Sequence, residues 1–355
     1  MNTRNPGLLS LTAGSEGIVL QDGELHRFLV SKLDTLFHSW GYTPVHTPMA
    51  DYADDYAETV GVSVPPYTYR FVDREGQILS LRSDITLFLV KQIHHLLKSA
   101  VLPLRMCYSD SIVRYQDAID IGKNEFFQSG AELLGVSGRD GDLEILVLLA
   151  RVLESLDLPN PVIHVGSREL FDQLWSDKNQ HDKEEARKAL SMREFRTLSK
   201  EDQQTARLFS FIGNTAEFRN YATSWSSHIS KQAQVALDEL IDRAATLESL
   251  VPVIEVRIDL SELGSQGYHS GIVFSAYLPG ADSSIASGGR YDRLLKNLEL
   301  EVPAIGFSLM TSKVASLLSP STQLGDYHEL ANRENFEKRY HQAEALRAQG
   351  KKVRL

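Results

Sequence analysis

The sequence holds a single cysteine, Cys107, among 355 residues. One thiol closes no internal disulfide, so nothing in this chain calls for an oxidising compartment. Cys107 lies among Leu102, Leu104 and Met106 and reads as inert core. No run of about 18 apolar residues occurs, which argues against a membrane-crossing helix. The opening stretch, MNTRNPGLLSLTAGSEG, has neither a long apolar segment nor a small-residue cleavage site, so it does not read as a secretory signal. A Gly-x-Gly-x-x-Gly turn, a P-loop, internal repeats and low-complexity tracts are all missing. Basic charge is also short: 37 Lys and Arg stand against 47 Asp and Glu, a net charge of -10. That mean field repels nucleic acid and counts against tRNA as a partner. The expectation left by these absences is a cytoplasmic globular protein without a membrane partner.

The periodicities that are present predict alternating helices and strands. Leu25, Phe28, Leu29, Leu33, Leu36 and Phe37 recur at helical spacing and predict a helix over 22–40, ended by Gly41. Pro44 and Pro48 bracket a short extended segment at 45–47. A strand is expected at 77–81, a helix at 84–97, and strands at 102–108 and 126–134. A helix at 143–156 is expected to be capped by Asp142, and a strand follows at 161–165. From 176 to 250 the chain is polar, charged and helical by pattern, which reads as an insertion between two parts of one sheet. Strands return at 251–258, 271–278 and 304–310, with Pro279-Gly280 and Gly288-Gly289 as turn signals between them. A charged helix is expected at 334–350.

The expected organisation is a core over 1–175 and 251–320, the helical insertion 176–250, and a short tail 321–355. Residues 1–21 read as an irregular arm. The fold class is α+β, a largely antiparallel sheet flanked by helices.

Four stretches narrow this further. The first is Leu81-Arg82-Ser83-Asp84-Ile85-Thr86. The second is Ile112-Val113-Arg114-Tyr115, then Asn124-Glu125-Phe126-Phe127-Gln128 and Glu132. The third is Gly267-Tyr268-His269-Ser270-Gly271-Ile272-Val273-Phe274. The fourth is Ser287-Gly288-Gly289-Arg290-Tyr291-Asp292, then Pro303-Ala304-Ile305-Gly306-Phe307. In this order and spacing they resemble the catalytic core of histidyl-tRNA synthetase, a class II fold, over roughly residues 15–315. The segment 41–48 resembles that class's dimer-forming motif.

The resemblance implies a pocket for histidine at Asp84 and Thr86, Gln128 and Glu132, and Tyr268. Four residues apart on a strand, Gln128 and Glu132 point to the same sheet face, where a carboxylate can hold an ammonium. It also implies arginines around the α-phosphate of ATP, where negative charge concentrates in the transition state. Here the sequence departs. Arg114 is kept, but the acidic residue two positions on is Gln116, and the arginine expected before Glu125-Phe126 is Asn124. The motif 3 arginine falls on Lys313. The loop that normally reads Arg-Gly-Leu-Asp-Tyr-Tyr is Gly264-Ser265-Gln266-Gly267-Tyr268-His269. Each lost contact of this kind costs about 10²–10³ in rate, and lysine does not replace an arginine fork.

Synthetase-like, with depleted activation chemistry and Tyr-His in place of Tyr-Tyr, the chain resembles the regulatory subunit of ATP phosphoribosyltransferase. That resemblance implies a non-enzymatic role in the first step of histidine biosynthesis. The partner would be the short-form catalytic subunit, the effector histidine, and the assembly a homodimer within a hetero-oligomer. No cofactor or metal is implied. The tail 321–355 is shorter than the roughly 50 residues of a separate folded domain, in keeping with a missing anticodon-binding domain. A divergent histidyl-tRNA synthetase and a stand-alone histidine or tRNA sensor remain alternatives.

Several residues carry two readings at this point. Arg290 either packs a turn onto the sheet or touches ligand. Tyr268 is core or pocket lining. His269 is a proton-active group, since imidazole titrates near neutrality, or a hydrogen-bonded structural histidine. Adjacent on a helix, His94 and His95 face different ways, so they do not read as a metal pair. The cluster Asp51, Asp54, Asp55 and Glu58 reads as a solvated face.

Overall fold

Apolar side chains alternate along a broad sheet and seal one of its faces under helices, leaving a polar strip on the other. The computed structural model describes residues 18, 20–54, 67–115, 124–264, 267–281, 283–318, 328–329 and 336–354. The strands, in chain order, are β1 (Thr43–Pro44), β2 (Ala50–Tyr52), β3 (Arg70–Val72), β4 (Ile78–Leu81), β5 (Leu104–Val113), β6 (Glu125–Leu134) and β7 (Val162–Ser167). They continue with β8 (Ile212–Gly213), β9 (Glu255–Asp259), β10 (Ile272–Tyr277), β11 (Ala286–Arg290), β12 (Ala304–Met310), β13 (His328–Glu329) and β14 (Val353–Arg354).

The main sheet has nine strands in the order β1-β5-β6-β12-β11-β10-β7-β9-β8. Only β1 with β5 and β7 with β9 run parallel; the other neighbours are antiparallel. This is the expected largely antiparallel α+β sheet. A three-stranded sheet, β2-β4-β3, lies apart from it, as does the pair β13-β14.

Register sorts the two faces. Ala131, Phe307, Gly288, Phe274 and Val165 are in register across five strands. The side chains of Ala131, Phe307, Phe274 and Val165, with Ile163 and Ile305, join the main core beneath the helices Leu20–Ser39, Gly138–Ser155 and Lys231–Leu250. One residue further along each strand the side chains point the other way. That face carries the in-register rows Glu132, Gly306, Gly289 and Gly130, Ser308, Ser287, Ser275. A second apolar cluster, from the helix Ile85–Leu97 with Tyr268, Tyr291 and Leu295, closes one end of this polar face.

Between β7 and β9 the described chain forms the α-helices Arg168–Leu174, Gln180–Ser191, Lys200–Ala206, Thr215–Trp225 and Lys231–Leu250, with β8 between them. The capping chemistry is regular: the side-chain oxygens of Asn179, Ser199, Asn214 and Ser230 each accept from a backbone N–H of the first turn, which satisfies donors that the turn leaves free.

Four local expectations need correction. Asp142 does not cap a helix. The helix begins at Gly138 after Ser137, and Asp142 lies buried inside it, held there by Arg290 and Arg243. Gly288 and Gly289 form no turn; they pair with β10 and β12 along β11. The extended segment placed at 45–47 is instead β1, although Val45 still donates to the Cys107 carbonyl at 2.8 Å. Asp51 is not a bare solvated acid, since it accepts from Lys91 at 2.6 Å. The arm at 1–17, and Asp55, Glu58, Gln116, Ser265 and Gln266, lie outside the described residues. Cys107 is buried, and burial pushes its thiol up to about 11, which suits inert core. Among the described residues no helix is long and apolar enough to cross a membrane.

Candidate functional site

The polar face holds a cleft of about 60 Å³ lined by Asp84, Thr86, Arg114, Gln128, Glu132, Tyr268 and His269. These seven residues come from four separate stretches of sequence. The helix Ile85–Leu97 brings the first two. Asp84 is its N-cap: Oδ1 accepts the Leu87 N–H at 3.1 Å. That bond fixes the carboxylate and turns Oδ2 inward, where it accepts from the Tyr268 hydroxyl at 3.1 Å and lies 3.7 Å from Arg114 Nη2. Arg114, at the end of β5, is itself anchored by donation from Nε to the Ser83 carbonyl at 2.6 Å. Nearby, Arg82 is fully buried and consumed by Asp110, the Ser111 carbonyl and Thr47. It fixes the turn that presents Asp84.

Glu132 is the centre of the cleft. It is 1% exposed. Thr86 Oγ1 donates to its Oε1 at 2.6 Å and Tyr291 OH to its Oε2 at 2.7 Å, while Tyr108 OH approaches Oε1 at 3.5 Å. Burial is the main reason its carboxyl is pushed up to about 7. The hydroxyl donors oppose that rise, and the charge of Asp84 adds to it. The carboxylate lies directly over Gly306: a β-carbon there would be 1.7 Å from Oε2. Only a residue without a side chain fits beneath Glu132 at this step of β12. Burial also raises the phenols of Tyr108 and Tyr291 far above their usual range, so both stay protonated as donors.

At the far wall, His269 is buried with its Nδ1 lacking a hydrogen-bond partner among the described residues. Burial pushes its imidazole down to about 3, and Arg168 and Arg187 add to the effect. That shift favours the neutral imidazole near pH 7. Tyr268 packs edge-on to both His269 and Tyr291. Both of its readings apply, since it is buried in an apolar cluster and its hydroxyl lines the cleft. Arg290 takes the structural reading. Its guanidinium holds Asp142 at 2.7 and 2.9 Å on the covered side of the sheet. Lys313 donates to Ser283 and does not line the cleft.

Comparison with known proteins decides the family. The histidyl-tRNA synthetase family profile matches residues 18–314. The ATP phosphoribosyltransferase regulatory subunit of Azoarcus sp. is 32% identical, over 89% of this chain and 83% of its own. The chain belongs to the histidyl-tRNA synthetase-like family of ATP phosphoribosyltransferase regulatory subunits. A regulatory subunit from Clostridium kluyveri is 25% identical over 95% of this chain and 90% of its own. The crystal structure of an ATP phosphoribosyltransferase regulatory subunit/histidyl-tRNA synthetase from Bacillus halodurans aligns with a TM-score of 0.82. It covers 98% of this chain and 93% of that one at 24% identity, and so shares the fold.

Two cleft residues of this family member escape a reading of its sequence. Tyr291 stands in the quoted Gly-Gly-Arg-Tyr-Asp stretch, but nothing local says that its hydroxyl meets Glu132, 159 positions away. Tyr108 reads as an ordinary apolar strand position. Its role follows from the pairing of β5 with β6, which sets it opposite Gly130. A β-carbon on Gly130 would lie 2.5 Å from the Tyr108 hydroxyl oxygen, so that glycine makes room for the ring.

Proposed function

We propose that this chain is the non-catalytic regulatory subunit of an ATP phosphoribosyltransferase, with histidine as its effector and the Glu132 cleft as the effector site. The observation that carries this reading is a buried carboxylate ringed by hydroxyl donors, with a second carboxylate and one guanidinium beside it. Arg114 suits an amino acid carboxylate, and Asp84 and Glu132 suit its ammonium and imidazole. A cationic group entering beside Glu132 would restore the charge that burial suppresses. The cleft's volume is below that of a typical ligand site, about 300 Å³ or more, so histidine entry requires its walls to part. Such a ligand favours one conformation over another, which is the requirement for shifting a quaternary equilibrium.

Support for a non-enzymatic role comes from the loop 264–269. Where the synthetase resemblance places a catalytic arginine, this chain has Gly264, backed closely by His269. We read residues 176–250 as an insertion into the synthetase-like core, and the chain as a cytoplasmic homodimer within a hetero-oligomer. The exposed Tyr52, Phe71, Val72 and Ile78 on the small sheet suit a subunit contact.

The test mixes the purified chain with short-form catalytic subunits and follows phosphoribosyl transfer to ATP with and without histidine. The expected result is activity that requires this chain and falls on adding histidine. It further predicts that Glu132→Gln raises the histidine concentration needed. A mixture that neither assembles nor changes in activity would refute the proposal, and histidine-dependent pyrophosphate exchange by the chain alone would favour a synthetase instead.

A further inference from the structure

A cleft of about 560 Å³ separates the helix Gln180–Ser191 from the polar face of the sheet, and Arg187, Gly264 and His269 all line it. The helix is seated firmly, with Ala186 and Leu190 buried in the main core. Arg187 therefore starts from a fixed backbone. Its side chain is 13% exposed, and each of its three nitrogens donates. Nε donates to Glu184 Oε2 at 3.0 Å and Nη2 to Glu184 Oε1. This two-pronged pair within one helical turn holds the Glu184 carboxyl below its usual range. It also aims the remaining nitrogen. Nη1 leaves the helix and donates to the Gly264 carbonyl at 3.0 Å, 77 positions away.

Gly264 is held from both sides. Its carbonyl accepts from Arg187, and its N–H donates to Glu262 Oε1 at 3.4 Å. The His269 imidazole packs directly against it. Tyr268 meets His269 edge-on, with ring centroids 5.2 Å apart, and its hydroxyl donates to Asp84 Oδ2 at 3.1 Å. Contacts thus run without a gap from Glu184 through Arg187, Gly264, His269 and Tyr268 to Asp84. Close-packed interiors transmit a displacement along such a line. Arg187 itself does not line the Glu132 cleft.

We propose that Arg187 is a positioning residue: from the helix Gln180–Ser191 it sets the loop that carries Tyr268 and His269, and so shapes the Glu132 cleft without touching its ligand. The coupling is reciprocal, so a ligand that shifts Tyr268 also acts on the Arg187 bond. The histidine part of the test rests on the effector-site reading above; the hydrogen-exchange part does not.

The experiment compares the wild-type chain with Arg187→Ala, Arg187→Lys and Lys188→Ala, by hydrogen exchange without ligand and by calorimetric titration with histidine. Lys188 is the exposed neighbour on the same helix, so Lys188→Ala removes the same charge and serves as the control. The amides of Gly264 and Ser270 report the two ends of the loop, being bonded to Glu262 and to the Arg290 carbonyl. Arg187→Ala is expected to speed their exchange by at least about tenfold and to weaken histidine binding by about tenfold. Lys188→Ala leaves both unchanged. Arg187→Lys keeps a charged donor without the fork and is expected to recover part of each effect. In a Tyr268→Phe background the histidine loss from Arg187→Ala should shrink, while the costs of the two changes in denaturant titration add. Unchanged exchange in Arg187→Ala overturns the proposal, and so does a histidine loss of equal size with and without the Tyr268 hydroxyl. Faster exchange in a chain that binds no histidine upholds the positioning role and refutes the effector site instead.

Discussion

A β-carbon on Gly264 would lie 2.2 Å from Nδ1 of His269. Gly264 also has φ +73, a left-handed backbone that side chains resist. These two facts bind the residues into one unit: the glycine makes room for the imidazole, and the imidazole occupies the space that a side chain at 264 would cross. Gly264→Arg is therefore expected to destabilise the fold by about 2–4 kcal/mol, from backbone strain and overpacking together. Denaturant titration checks the loss. Adding His269→Ala in the same chain is expected to recover part of it by clearing the overlap. Neither variant is expected to gain ATP–pyrophosphate exchange, and a clear gain would show that this packing is not what blocks a side chain here.

Glu132 makes stability depend on pH in an unusual direction. Its carboxyl is raised from 4.5 to about 7 by burial, so the folded state holds a proton that the unfolded chain releases. The stability tied to that proton is full below about pH 4.5, falls as pH rises, and is lost above about pH 7. The total is about 3 kcal/mol. Most paired carboxylates act in the opposite sense, so the informative quantity is a difference between variants. Glu132→Gln, which cannot ionise, is expected to gain on the wild type as pH rises from 5 to 8. Denaturant titrations across that range measure it, and a difference that stays flat with pH would count against a buried, titrating Glu132.

The hydroxyl of Tyr291 is one of the groups that hold the Glu132 carboxyl down. Removing it in Tyr291→Phe should move that carboxyl further up and leave less carboxylate to meet a cationic ligand. Histidine affinity at pH 7 is expected to fall by about tenfold, the effect of one hydrogen bond to a charged group. The loss should shrink at pH 8.5, where Glu132 ionises in both proteins. Calorimetry at the two pH values separates this electrostatic effect from a simple loss of shape, which would not change with pH.

Much of this architecture was legible in the sequence because its signals are local. The spacing of Leu25, Leu29, Leu33 and Phe37 sets the first helix, and all four are buried as one stripe. The shared face of Gln128 and Glu132 follows from strand alternation, and both residues line the cleft. What was hidden depends on pairing over long distances. The role of Asp142 is set by Arg290 and Arg243, 148 and 101 positions away, while its position before an apolar run resembles an ordinary cap. The two glycines of β11 resemble a turn for the same reason, because their use lies in neighbouring strands. The burial of His269, which favours its neutral form, is likewise invisible in a stretch that reads Tyr-His-Ser-Gly.

The Asp142 carboxylate is the joint between the sheet and the helix Lys231–Leu250. It accepts from Arg290 at 2.7 and 2.9 Å and from Arg243 Nε at 3.3 Å, and all three residues are buried. Burial raises its carboxyl even against two guanidinium groups, so desolvation outweighs their pull. Asp142→Ala would leave two arginines buried without their shared counter-charge. Breaking such an arrangement from one side costs about 3–5 kcal/mol. The exposed pair Arg257–Glu255, 2.6 Å apart with each side chain about half in solvent, is the contrast: Glu255→Ala should cost no more than about 1 kcal/mol. Arg290 immediately precedes Tyr291, so Asp142→Ala is also expected to weaken histidine binding through a displaced Tyr291 hydroxyl. Denaturation and calorimetry on the two variants test both parts. Equal costs for Asp142→Ala and Glu255→Ala would mean that the buried joint contributes little, and unchanged histidine affinity would uncouple it from the cleft.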